Sequence, residues 1–207
     1  MSLAERLSID GPAGALEAVV EDIGAPGPSY AVVCHPHPLM GGTMDNKVVT
    51  TLARSLRETG IPTLRFNFRG VGASAGAFDH GRGETADADA AASWGAQRWP
   101  GRNLVIAGFS FGGYVAWRLA LERQARYLIT VAPAVQRIDD SSNAVPKCPW
   151  LIVQGDADDV VDPAEVTRWV DGLDPKPQLV MLRGVGHYFH GRLQDLRNAV
   201  IDAIRSG

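Results

Sequence analysis

Apolar runs that are typical of buried strands alternate with segments of helical periodicity along most of this chain. Runs such as "SYAVVC", "NLVIAGF" and "PWLIVQGD" are short, and each is followed by a helix-like stretch such as "KVVTTLARSLRE". Because a helix between two strands lets them lie parallel in one sheet, this alternation predicts an α/β fold. The sequence holds eight strand-like runs, so we expect a mainly parallel eight-stranded sheet with helices on both faces.

The first two strand-like runs differ from the rest because no helical segment separates them. They read "ERLSID" and "ALEAVVED", and the "GPAG" between them has the composition of a turn. This pattern predicts an antiparallel hairpin at one edge of the sheet. The most linker-like stretch, "AVQRIDDSSNAVPKC" at residues 134–148, is too short to carry a second domain. We therefore expect residues 1–207 to form one domain.

Charge and cysteine content restrict the partners and the compartment. The net charge is −3 and the basic residues are scattered, which argues against nucleic acid or an anionic membrane surface as a partner. No uninterrupted apolar run approaches the roughly 20 residues of a membrane-spanning helix, and "MSLAERLSID" lacks the pattern of a secretory signal. Cys34 and Cys148 are too few for a disulfide framework. These features predict a cytoplasmic protein.

The stretch "GFSFGG" places Ser110 between a strand-like run and a helix-like run. Gly108 and Gly112 stand two residues on either side of Ser110, which is the G-x-S-x-G spacing of a sharp strand-to-helix turn. Glycines allow the crowding that such a turn creates, and the turn exposes the serine oxygen above the carboxyl end of the sheet. A serine that only caps the helix is the plainer alternative. The strand before the motif and the helix after it favour a nucleophile.

A nucleophilic serine needs a base and a carboxylate that orients the base. The strand-like run "PWLIVQGD" ends at Asp156 and leads into "ADDVVDP" with Asp158 and Asp159, and the next run leads into "GVGHYFHGR" with His187 and His190. Asp162, which precedes a proline, has the position of a helix cap. The order of Ser, Asp and His along the chain is that of a strand-end catalytic set. An acidic, solvated loop is the alternative reading of this aspartate-rich segment.

These motifs resemble those of the α/β-hydrolase superfamily, and the resemblance covers nearly the whole chain. The loops "GDADDVV" and "GVGHYF" are similar to the superfamily's acid and histidine loops, and they imply Asp158 as the acid and His187 as the base. The segments "HPHPLMGGTMDNKVV" and "LRFNFRGVGASAG" resemble, more narrowly, a group of small bacterial hydrolases. The resemblance implies an α/β-hydrolase fold and acyl transfer to water through Ser110, with no metal or cofactor.

Two backbone N–H groups are needed to stabilise the oxyanion that forms in such a reaction. One should be the amide of Phe111, directly after the nucleophile. The resemblance places the other on His37, in the loop "HPHPLMGG", with Leu39 as the alternative. Pro36 and Pro38 are excluded because proline has no N–H to donate.

The substrate region should be open. Many α/β-hydrolases insert a helical lid after the strand that follows the nucleophile helix, but here that position holds only the polar segment 134–148. We therefore expect no lid domain and a shallow acyl site that includes Leu39, Met40 and Tyr188. Such a site predicts small-molecule esters with short acyl chains as substrates. A thioesterase or an amidase with the same residues is the nearest alternative.

Three other functions are disfavoured by the sequence. His35 and His37 alternate, with Cys34 directly before them, in a way that suggests a metal site, but no later Cys/His pair completes a zinc ligand set. The loop "RGVGASAG" has the wrong spacing for a dinucleotide fingerprint and is not followed directly by a helix. A non-catalytic binding module on the same fold is the third alternative, and the presence of all three catalytic residue types argues against it.

Overall fold

Eight strands form a sheet in the computed structural model, which describes residues 3–22, 24, 27–138 and 144–206. They are β1 (Leu3–Gly11), β2 (Gly14–Asp22), β3 (Ser29–Cys34), β4 (Thr63–Phe66), β5 (Asn103–Phe109), β6 (Tyr127–Val131), β7 (Trp150–Gly155) and β8 (Gln178–Leu182). Their order across the sheet is β1-β2-β4-β3-β5-β6-β7-β8. β1 and β2 pair as an antiparallel hairpin, β2 is antiparallel to β4, and the remaining neighbours are parallel. The predicted fold class is confirmed.

The helices are α1 (Lys47–Glu58), α2 (Arg82–Arg98), α3 (Phe111–Glu122), α4 (Pro163–Asp171) and α5 (Leu193–Ser206). Two of them begin at side-chain caps, one of which, Asp162, is predicted from the sequence. The Asn46 side chain accepts a hydrogen bond from the Val48 N–H at 2.8 Å and so starts α1. Asp162 accepts from the Ala164 N–H at 2.9 Å, and a proline occupies the first turn of α4.

The sheet has a hydrophobic core on each face because side chains alternate along its strands. In β5, Leu104 and Ile106 join the core beneath α2, α3 and α4, whereas Val105, Ala107 and Phe109 join the core beneath α1 and α5. Both sets are buried, so β5 carries a continuous apolar run of the kind that a strand covered on both faces requires. The predicted placement of helices on both faces is therefore correct.

The carboxyl ends of the parallel strands meet at one edge of the sheet. Cys34 in β3 lies opposite Gly108 in β5, and Phe109 lies opposite Val131 in β6. Gly155 at the end of β7 lies opposite Leu182 at the end of β8. The loops that follow β3, β5, β6, β7 and β8 therefore emerge side by side, which is where open α/β sheets bind ligands.

The glycine-rich loop after β4 is held by hydrogen bonds of its own. The Arg69 guanidinium donates to both carboxylate oxygens of the buried Asp87, at 3.0 and 2.7 Å. The Ser74 hydroxyl donates to the Asn67 carbonyl at 2.7 Å and accepts from the Glu17 N–H at 2.9 Å. This segment connects β4 to α2 as a fixed turn.

The segment between β6 and β7 occupies the position where many α/β-hydrolases insert a lid. Its described residues hold a 3-10 turn, Val135–Arg137, and no helix, and residues 139–143 lie outside the described residues.

Within the described ranges, no helix combines the length and the apolar character needed to cross a bilayer.

Candidate active site

Ser110 lies in the turn between β5 and α3, and its backbone has a conformation that is rare for residues other than glycine. Its φ is 56° and its ψ is −118°, and its N–H donates a hydrogen bond to the Val131 carbonyl at 2.9 Å. A positive φ is costly for a residue with a Cβ and persists only where the surrounding structure imposes it. The Ser110 carbonyl accepts hydrogen bonds from the Gly113 and Ala134 N–H groups, so both sides of the turn are fixed.

The two flanking glycines are required by contact with other backbone atoms. A Cβ on Gly108 would lie 2.0 Å from the Gly112 carbonyl oxygen. A Cβ on Gly112 would lie 2.4 Å from the carbonyl oxygens of both Cys34 and His35. Because these neighbours are backbone, they cannot rotate away as a side chain would. Gly108 and Gly112, which the sequence predicts for a crowded turn, thus permit the close backbone contacts of this turn.

Ser110, His187 and Asp158 form one hydrogen-bonded chain. His187 Nε2 lies 3.1 Å from Ser110 Oγ, and His187 Nδ1 lies 2.8 Å from Asp158 Oδ2. A carboxylate only accepts, so Nδ1 carries the proton and Nε2 is free to accept the serine proton. All three residues are buried, and the His187 ring packs on the Phe109 ring at a centroid distance of 5.0 Å.

Asp158 is held as a carboxylate. Burial by itself raises the pKa of this group, but hydrogen bonds from His187 and from the N–H groups of Val161 and Val160 outweigh it and hold the pKa below its ordinary value. Those N–H groups donate to Oδ1 at 2.8 and 2.9 Å, which leaves Oδ2 to face the imidazole. The group is therefore charged at neutral pH and aligned with His187.

The other aspartates of this loop point elsewhere. Asp156 Oδ1 accepts from the Gly184 N–H at 2.6 Å, and Asp162 caps α4. Asp159 is exposed. Among the described residues, Asp158 is the carboxylate that hydrogen-bonds the His187 ring.

Sequence reasoning missed Gln154, which contacts the acid directly. This side chain is fully buried in β7, and its Nε2 donates to Asp158 Oδ2 at 3.0 Å. Oδ2 thus receives hydrogen bonds from both Gln154 and His187. The signal in the sequence is a lone polar residue inside the apolar run "WLIVQG", directly before the acid loop.

The loop after β3 lies against the nucleophile turn. The His37 ring packs on the Phe111 ring at 5.0 Å, and Phe111 begins α3, where the first N–H groups have no intrahelical partner. The Leu39 N–H donates to His37 Nδ1 at 3.2 Å. The amide of Leu39 is therefore already engaged, which favours the amide of His37 over it as a donor to a ligand.

His35 fixes the peptide that carries the His37 N–H. Its Nδ1 lies 2.6 Å from the Pro36 carbonyl oxygen, and its Nε2 accepts from the Phe68 N–H at 3.0 Å. The carbonyl and N–H of one trans peptide point in opposite directions. Holding the Pro36 carbonyl on one side therefore holds the His37 N–H on the other. His35 is fully buried, and burial lowers the pKa of its imidazole to about 4.

The residues expected to contact substrate are on the surface. Leu39 is 70% exposed, Met40 is 83% exposed and Tyr188 is 50% exposed. The Phe111 ring is buried instead, beneath the Arg137 guanidinium at 5.1 Å. Leu39, Met40 and Tyr188 therefore offer contact area that is open to solvent.

The residues described here hold no group of three or more His, Cys, Asp or Glu side chains that could bind a metal ion. Cys34 is buried, and burial raises the pKa of its thiol well above its ordinary value, so the thiol is protonated. Both nitrogens of His35 are engaged within the protein, which leaves them unavailable as ligands.

Residues 31–148 match the family model described as serine aminopeptidase, S33, which is more than half of the chain. The chain belongs to this family of hydrolases. The match includes Ser110, whereas Asp158 and His187 lie beyond it.

Solved structures of similar sequence agree with this membership. The hydrolase is 46% identical to XC6422 from Xanthomonas campestris, described as an α/β serine hydrolase without a lid, with a TM-score of 0.92 over 98% of this chain and 94% of that one. It is 43% identical to an α/β serine hydrolase homologue from Coxiella burnetii, with a TM-score of 0.93 over 98% and 97% of the two chains. An uncharacterised protein of Rickettsia prowazekii, RP471, is 35% identical over 95% of this chain and 87% of its own length.

These findings identify an α/β serine hydrolase, and the described residues between β6 and β7 hold no helical lid. The predicted superfamily is correct, and the relatives share the fold over nearly their full lengths. The hydrogen-bonded chain at Ser110 is consistent with membership of a serine hydrolase family.

The buried state of His35 predicts a pH dependence of stability. The pKa of its imidazole is about 4 in the folded protein against 6.5 ordinarily, so the unfolded state binds more protons between those values. The free energy of unfolding should therefore fall as the pH is lowered from about 6.5 to about 4, with up to about 3 kcal/mol of that loss from His35. Denaturant unfolding at several pH values measures this slope.

Replacing His35 with Asn removes the titrating group and should flatten that slope, although the variant is less stable at pH 7. The matched change His190→Asn, at an exposed position, is the control and should keep the wild-type slope. Equal slopes in the wild type and in His35→Asn would contradict the prediction.

Proposed function

We propose that this protein hydrolyses short-acyl carboxylic esters of small molecules through an acyl-enzyme on Ser110. The observation that carries the proposal is the chain of hydrogen bonds from Asp158 through His187 to Ser110, at 2.8 and 3.1 Å. A serine acts as a nucleophile when a base takes its proton and a carboxylate orients that base. The proposal needs no metal and no cofactor.

In the first half-reaction, Ser110 Oγ attacks the ester carbonyl while His187 Nε2 accepts the hydroxyl proton. Asp158 stabilises the resulting imidazolium without taking its proton. The tetrahedral intermediate then collapses, and the alcohol leaves with the proton from His187. In the second half-reaction, water attacks the acyl-serine with His187 again as base, and the carboxylic acid is released.

We propose the backbone N–H groups of Phe111 and His37 as the donors to the oxyanion. The Phe111 N–H is at the N-terminus of α3, where the helix dipole also favours negative charge. The His37 N–H belongs to the peptide that His35 holds through the Pro36 carbonyl. Donors that are fixed before substrate binds need no reorganisation during the reaction, which is the basis of their effect on rate.

The exposure of the surrounding side chains supports short acyl groups. Each methylene contributes about 0.8 kcal/mol only where it is removed from water. Leu39, Met40 and Tyr188 are all at least half exposed, so they can cover a few carbons but not a long chain. We propose these three side chains as the contact surface for the acyl group.

We also propose a cytoplasmic location. Cys34 and Cys148 are both free thiols in the structure. Such thiols are typical of a reducing compartment, since oxidising compartments favour disulfides.

Ser110→Ala should abolish hydrolysis of p-nitrophenyl acetate. The expected loss in kcat is on the order of a million-fold, because the other catalytic residues act only through the nucleophile. A fluorophosphonate should label the wild type and not this variant. Ser206→Ala, at an exposed position in α5, is the control and should be fully active. Undiminished turnover by Ser110→Ala would overturn the proposal.

Asp158→Asn should lower kcat by about ten-thousand-fold, since an amide favours the wrong imidazole tautomer and orientation. Asp156→Asn and Asp159→Asn are matched controls on the same loop and should each cost less than about ten-fold, because neither side chain contacts His187. Steady-state kinetics on the same ester compares the three. If Asp159→Asn lowered kcat more than Asp158→Asn, the catalytic acid would be Asp159 and the assignment of Asp158 would be wrong.

Acyl-chain preference should peak at about two to six carbons. A series of p-nitrophenyl esters from acetate to palmitate measures it, with acyl-CoA thioesters and aminoacyl amides tested in parallel against the thioesterase and amidase alternatives. Activity should not rise abruptly when a substrate forms micelles. A steady increase up to palmitate, or such an abrupt rise, would indicate an enclosed acyl site and contradict the proposal.

A further inference from the structure

Gln154 is a polar side chain at a position where the fold needs only an apolar one. All six residues of β7 are buried, and Gln154 is the one among them with an amide side chain. Trp150, Leu151, Ile152 and Val153 pack into the two cores of the sheet. A side chain chosen for packing alone would be apolar here as well.

The contacts of Gln154 determine the orientation of its amide. Nε2 lies 3.0 Å from Asp158 Oδ2, 3.2 Å from the Gly155 carbonyl oxygen and 3.4 Å from the Val161 carbonyl oxygen. All three partners are acceptors, so the NH₂ group and not the carbonyl must face them. The amide therefore donates to the acid of the site.

The Gln154 Oε1 atom is buried and accepts no hydrogen bond from the residues that the structure describes. A buried acceptor without a donor lowers stability. The Oε1 atom of Gln154 therefore lowers the stability of the fold, and we look for the role of the amide at its Nε2 atom, which contacts Asp158.

We propose that Gln154 is a positioning residue that holds the Asp158 carboxylate and limits how strongly this carboxylate attracts the His187 proton. The inference rests on the proposed roles of Ser110, His187 and Asp158. A hydrogen bond donated to a carboxylate stabilises its charge and makes it a weaker acceptor for other donors. Because Gln154 and His187 share Oδ2, the amide keeps the imidazole less basic and so available as a base at lower pH.

Other ionisable groups around His187 do not provide the same control. The segments that follow the carboxyl ends of β3, β6, β7 and β8 include His35, His37, Arg137, Asp156, Asp159, Asp162, Arg183, Tyr188, His190 and Arg192. Most of these are exposed, so water screens them, whereas His35 is buried and His37 and Arg192 are partly buried. They are also the same in the wild type and in any variant of Gln154, and therefore cannot produce a difference between the two.

The test is the pH dependence of the rate at which a fluorophosphonate labels Ser110, because labelling requires unprotonated His187 but no particular substrate. In Gln154→Met, which keeps the length and removes the donor, the acidic limb of this profile should move to higher pH by about half a unit. This shift corresponds to about a three-fold higher proton affinity of His187. Gln178→Met, at an exposed position on β8, is the matched control and should keep the wild-type profile.

Gln154→Leu is the second variant, in case the first does not fold. It also removes the donor, and its side chain is apolar like its neighbours in β7, so the acidic limb should again move to higher pH. Denaturant unfolding of each variant separates stability from the profile. An unshifted acidic limb in a folded Gln154 variant overturns the inference, even if the unfolding midpoint changes.

Failure of the proposed function gives a different result. If the wild type hydrolyses no ester but its labelling profile still shifts on replacement of Gln154, the ester substrate is wrong and the positioning role stands. If Ser110 of the wild type is not labelled at any pH, the nucleophile assignment fails and the role of Gln154 fails with it.

Discussion

The site depends on the close contact between the Ser110 turn and the end of β3. Gly112 lies so near the Cys34 and His35 carbonyls that no Cβ fits between them. Ser110, two residues before Gly112, has a positive φ, and a strained residue of this kind costs of order 1–3 kcal/mol. The same contact sets the loop after β3 against the start of α3, so Ser110 and the loop that carries His37 are brought together by one packing contact.

The buried carboxylate of Asp158 is the second requirement of the site. A buried charge is tolerated only when hydrogen bonds replace its lost hydration. Asp158 receives them from the Val160 and Val161 N–H groups on one oxygen and from Gln154 and His187 on the other. Three of the four donors come from its own strand and loop. These three hydrogen bonds fix most of the orientation of the Asp158 carboxylate without His187. The His187 imidazole then hydrogen-bonds the oriented Oδ2 atom.

A fixed reaction centre is combined with an open surface. Ser110, His187 and Asp158 are buried, whereas Leu39, Met40 and Tyr188 are largely exposed. The three buried side chains are held by backbone contacts and by hydrogen bonds within the protein. Under the proposed function, substrate selection would be left to a few side chains with little area to bury, which would favour small substrates over long apolar ones.

Much of this organisation follows from the sequence alone. The strand and helix segments, the hairpin and the cap at Asp162 are local features, and local periodicity and side-chain chemistry determine them. The residue types of Ser110, Asp158 and His187 are also visible, because motif spacing reflects the turns that carry them. The strand order, which sets β2 beside β4 and β3 beside β5, depends on contacts between distant segments. So do the choice of Asp158 among its neighbours, the engaged amide of Leu39, and the contacts of His35 and Gln154. Only the tertiary structure decides these, since a hydrogen bond between residues far apart in the chain leaves no periodic signal in the sequence.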